Sequence, residues 1–70
     1  MELVFSVTQE EDGGFVAECL SEAIFTQAGS WDELKRMVKD AVHAYFFDQP
    51  EKAKSRIRLH LVRDEVMSGS

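Results

Sequence analysis

Hydrophobic and polar residues alternate at period two from Glu2 to Thr8, with Leu3, Phe5 and Val7 on one side and Ser6 and Thr8 on the other, which predicts a β-strand. The polar stretch that follows ends in Asp12-Gly13-Gly14, where glycine can take the positive φ of a tight reversal without steric cost. The chain is expected to return there as a second strand over 15–20, where Phe15, Ala17 and Cys19 alternate with Val16 and Glu18. Beyond Ser21-Glu22, the β-branched and aromatic content of Ile24, Phe25 and Thr26 predicts a third strand over 23–28.

The period then changes. Ser30 followed three residues later by Glu33 is a capping box, in which each side chain satisfies a backbone N–H orphaned at a helix start. Trp31, Leu34, Val38, Ala41, Val42 and Tyr45 recur at three- and four-residue steps, against a polar face that includes Lys35, Arg36, Lys39 and His43. The helix is expected to end near Phe47 or Asp48, because Pro50 disfavours helical geometry at the residue before it. Residues 51–55 read as a charged connector, and Ile57, Leu59 and Leu61 alternating with Arg58, His60 and Val62 predict a final strand. The expected class is α+β: a β-β-β-α-β chain forming a mostly antiparallel four-stranded sheet with one helix packed on one face. A single domain over 1–63 is expected, with 64–70 as a flexible C-terminal tail, since Ser68-Gly69-Ser70 carries nothing to bury.

One helix leaves the other sheet face uncovered, yet Val4, Val16, Phe25 and Val62 fall in that alternate set. An exposed apolar face marks an interface, so a homodimer or larger homo-oligomer is expected through these four residues. At 70 residues the chain would also gain from a second copy, because so short a domain buries only about 60% of its unfolded surface.

Composition narrows the setting. With 44% apolar residues the chain can build a core, and its lone cysteine, Cys19, cannot form an internal disulfide, which favours a reducing, cytoplasmic environment. No signal-peptide pattern is present, and no apolar run approaches the roughly 20 residues that cross a bilayer, so no membrane association is expected. Charge is polarised: residues 1–33 hold eight acids and no Lys or Arg, a balance of -8, whereas the remainder balances at +3. Such asymmetry can steer a charged partner onto one surface, and it disfavours direct nucleic-acid binding by the acidic half.

Candidate chemistry is sparse. His43 lies on the polar helix face, His60 alternates with core positions, and Cys19 reads as a small core thiol, so no nucleophile, metal or cofactor site is expected and the chain is not expected to be an enzyme. Glu10-Glu11-Asp12 lacks the spacing of a calcium loop, and Gly13-Gly14 opens a strand and so is not a nucleotide loop. Arg56, Arg58 and Arg63 are too few, without a DNA-reading element, to imply a nucleic-acid interface.

Three local features together resemble the HicB-like antitoxin family, with its partial ribonuclease-H-like fold. They are the hairpin Asp12-Gly13-Gly14-Phe15-Val16-Ala17, the stretch Phe25-Thr26-Gln27-Ala28, and the helix opening Ser30-Trp31-Asp32-Glu33-Leu34 with Ala41 and Tyr45 beyond it. The resemblance is to a short stand-alone branch: Leu20-Ser21-Glu22-Ala23 replaces the proline-containing segment frequent in the family, and the C-terminal DNA-binding segment of many members has no counterpart. What the resemblance implies is a protein that binds and blocks a small basic RNA-cleaving toxin; no nuclease activity of its own is expected, since the sequence shows no evident cluster of metal-binding carboxylates. Glu10, Glu11, Asp12, Glu18 and Glu22 are then the expected acidic contacts. The alternative is a stand-alone oligomeric interaction domain with no toxin partner.

Overall fold

A computed structural model describes residues 1–62 and Gly69; Arg63 and, apart from Gly69, the tail expected over 64–70 lie outside the described residues. The elements run β1 (Glu2–Gln9), β2 (Phe15–Cys19), β3 (Phe25–Ala28), α1 (Trp31–Tyr45), a one-turn α2 (Pro50–Ala53) and β4 (Arg56–Val62). They form a four-stranded sheet of order β3-β2-β1-β4. The β1–β2 and β2–β3 pairs are antiparallel and β1–β4 is parallel, because α1 carries the chain back along the sheet before β4 begins. The expected fold class is thereby observed.

Local chemistry explains the corners. At the first turn Gly13 takes φ +93°, Gly13 N–H donates to Glu10 O at 3.0 Å, and Gly14 N–H donates to Asp12 Oδ1 at 3.0 Å. Gly14 is suited to glycine for a different reason, since an added Cβ would stand 3.3 Å from Ala28 O on the neighbouring strand. At the start of α1, Ser30 Oγ accepts from Glu33 N–H at 3.2 Å, and Asp32 and Glu33 occupy the first turn, where the helix dipole favours anions.

Several boundaries differ from expectation; β1 runs one residue further, to Gln9, and β2 stops at Cys19, short of Leu20. β3 starts at Phe25 and not at Ala23, because Ile24 is still closing the turn: its N–H donates to Glu22 O at 2.8 Å and its C=O accepts from Cys19 N–H at 2.9 Å. α1 ends at Tyr45, with Phe46 as C-cap at φ -105°, ψ 33°. Tyr45 also leaves the expected apolar face; it is exposed, while Phe46 is buried. At 100° per residue Phe46, four beyond Val42 and eight beyond Val38, continues the buried row, and Tyr45 turns away from it. The expected connector holds α2, which opens on Pro50; proline suits a first helical position because its missing N–H would have no partner there.

The core joins the inner sides of the sheet, Leu3, Phe5, Val7, Ala17 and Cys19, to Leu34, Val38, Val42 and Phe46 of the helical segment and Ile24 of the second turn. α1 packs over β2 and β3. A helix about 10 Å across covers roughly two strands spaced about 4.8 Å apart. β4 falls beyond that width: its inward residues Ile57 and Leu59 are only half-buried, and Leu61 is 40% exposed.

Candidate functional site

The helix-free face of the sheet is built by period two and strand register. One cross-strand row reads Phe25, Glu18, Ser6, His60; the next reads Gln27, Val16, Thr8, Val62; Val4 pairs with Arg58 on the far side. Val4, Val16, Phe25 and Val62, the residues expected to form an oligomer interface, therefore share this face. Phe25 is 61% exposed, and Leu20, whose N–H donates to Val4 O at 3.0 Å, is 70% exposed beside it. The surface is mixed: apolar side chains alternate with Glu18, Arg58 and His60.

The five acids expected to contact a partner are not gathered into one patch. Glu10, Glu11 and Asp12 stand on the β1–β2 turn, and Glu18 lies in the middle of the open face between Phe25 and Ser6. Glu22 sits at the opposite end of the sheet, where its carboxylate accepts from the Tyr45 hydroxyl at 3.4 Å. The β1–β3 segment nevertheless carries no Lys or Arg.

Sequence reasoning missed a second surface. A groove of about 520 Å³ runs between α1 and β4, in the strip the helix fails to cover. Val38, Ala53, Ile57 and Leu59 form its apolar floor; Lys35, Lys39, His43 and Lys54 form its rim, and none of the described acids lines it. Ser55 Oγ, also part of the lining, is buried without a hydrogen-bond partner among the described residues. A signal was present, since Lys35, Lys39 and His43 step by four along α1 and so form one stripe. Their opposite wall comes from β4, which no local pattern connects to that stripe.

The residues weighed for nucleophilic or metal chemistry are held apart. Cys19 is buried on the helix side of the sheet and His60 lies on the other side, while His43 is exposed on α1. Among the described residues no group of three or more His, Cys, Asp or Glu side chains is placed to hold a metal ion. No described helix is long and apolar enough to cross a membrane.

Comparison with known proteins places the chain among close relatives. It is 49% identical over 51 residues to a UPF0150 protein of Archaeoglobus fulgidus, covering 73% of this chain and 76% of the relative. It is 38% identical over 67 residues to a UPF0150 protein of Thermotoga maritima, covering 96% of this chain and 91% of the relative. No family model matches the chain, and no solved structure matches it. Identities of 49% and 38% over most of each chain establish that the chain belongs to the UPF0150 family.

Proposed function

We propose that the chain is a non-catalytic protein-binding module of the cytoplasm that, like a HicB-type antitoxin, neutralises a small basic RNA-cleaving toxin. The observation that carries this reading is the β2–β3 part of the open sheet face, where Val16 and Phe25 flank Glu18 within a half of the molecule that holds eight acids and no Lys or Arg. A protein that grips RNA must present a basic surface, and an acidic face with apolar anchors complements it in both charge and contact. Glu10, Glu11 and Asp12 extend the same charge beyond the end of the sheet. Glu22, held by Tyr45 at the other end, contributes least.

The test is reconstitution with a small basic ribonuclease recovered with the chain at low salt, followed by an RNA-cleavage assay. Stoichiometric chain should abolish cleavage, and Glu18→Lys combined with charge reversal at Glu10, Glu11 and Asp12 should slow association about tenfold and flatten its salt dependence. Undiminished cleavage at a molar excess of the chain would sink the reading.

A second reading has its own support: Val4, Val16, Phe25 and Val62 share one helix-free face, which suits self-association into a stand-alone homo-oligomer. Light scattering separates the two, because Phe25→Glu would then leave a monomer, with or without any basic protein present.

A further inference from the structure

The two edges of the sheet are unlike. β3 offers four residues, whereas β4 offers seven, and as a terminal strand β4 leaves alternate N–H and C=O groups without ladder partners among the described residues. Its side chains fall into two rows of opposite kind. Towards the groove stand Ile57, Leu59 and Leu61, an apolar row that α1 covers incompletely. On the open face stand Arg56, Arg58 and His60, with Val62 at the end of the row.

We propose that the β4 edge is a strand-addition site for a partner protein segment that alternates apolar and acidic residues. A strand joined to this edge must obey the same period of two. Side chains on one of its sides would extend the apolar row over the groove, and those on the other would face the row that holds Arg56 and Arg58. Acids are the residues that row selects, since opposite charges across neighbouring strands attract and like charges repel. The pairing already occurs once within the chain: Glu2 on β1 meets Arg58 with Oε1 3.2 Å from Nε. Arg56 has no ion-pair partner among the described residues.

A second copy of β4 is a poor occupant. Antiparallel self-pairing centred on Leu59 would set Arg58 opposite His60, and parallel self-pairing would set Arg56 and Arg58 each opposite itself, so neither register supplies the acids that the two arginines select. The groove also sets a minimum length for the segment. Lys35 to His43 spans about 12 Å of helix, and four extended residues span about 13 Å. β4 pairs with β1, but its free edge uses none of the acidic contacts invoked above, so either proposal can fail alone.

The experiment uses the intact chain and a fluorescent peptide of alternating Val and Glu, six residues long, followed by anisotropy and by amide hydrogen exchange. Two peptides serve as controls: one with the same composition in blocks, three Val then three Glu, and one alternating but N-methylated along its backbone. The alternating peptide is expected to bind at least about tenfold more tightly than either control, to slow exchange in β4, and to weaken about tenfold with Arg56→Glu. Equal affinity for the block peptide would reduce the site to unspecific charge, and equal affinity for the N-methylated peptide would show that no strand forms; either overturns the proposal. So would occupation of the groove by decanoate with the peptide excluded from it and β4 exchange unchanged, which would mark a small-anion site, or association of β4 with a second copy.

Discussion

The two flanks of β1 carry the same alternating pattern and meet different fates. On the β2 flank Ala17 and Cys19 are buried to 0% and 5% exposure, while on the β4 flank Leu61 remains 40% exposed and Ile57 and Leu59 are half-buried. Nothing in the residue types separates the flanks, since Ile and Leu are as ready to be buried as Ala and Cys. The difference is the width of one helix over four strands. Alternation tells which residues share a side of a strand; how many covering elements the chain contains decides which sides are closed.

The contrast can be broken or sharpened by substitution. Phe5→Ala, at the fully enclosed centre of β1, should cost about 3–5 kcal/mol, enough to unfold a domain this small under mild urea. Ile57→Ala on the open flank should cost only about 1–2 kcal/mol, because part of its surface is already wet. Equal losses in a urea titration would mean that β4 is as enclosed as β1 and that the flanks do not differ. Ser30→Ala removes the cap that anchors α1 at its start, and should cost about 1 kcal/mol with no change in the denaturant slope. The smallest effect belongs to the exposed Glu2–Arg58 pair, for which a double-mutant cycle should give below about 1 kcal/mol and nothing in molar salt. A larger coupling would show that the open face is shielded from water, against the contrast drawn here.

Much of the fold was legible because each corner has its own local chemistry. Asp12-Gly13-Gly14 specified the hairpin, and Ser30 with Glu33 specified the helix start, though only the bond from Glu33 N–H to Ser30 Oγ is formed. The end of α1 was less legible because Pro50 constrains only its neighbour, leaving Phe46 free to cap earlier and to fill the core in place of Tyr45. Pro50 itself signalled α2, which a reading of 51–55 as polar connector overlooked. The shared position of Val4, Val16, Phe25 and Val62 followed from period two. The groove did not, because its walls lie on α1 and β4 and only the covering geometry brings them together. Likewise, the acids of the first half are neighbours in composition while Glu18 and Glu22 are separated by the sheet and its far turn.

Cys19 carries a practical consequence. The chain's one thiol stands 5% exposed on the inner side of β2, with Sγ 3.7 Å from Ser21 Oγ, so a thiol reagent reaches it only when the hairpin or the helix above it lifts. Its labelling rate is therefore a built-in clock for opening of the molecule. A partner that clamps the hairpin would slow that clock, and one that binds only the β4 edge would leave it running at nearly the same pace.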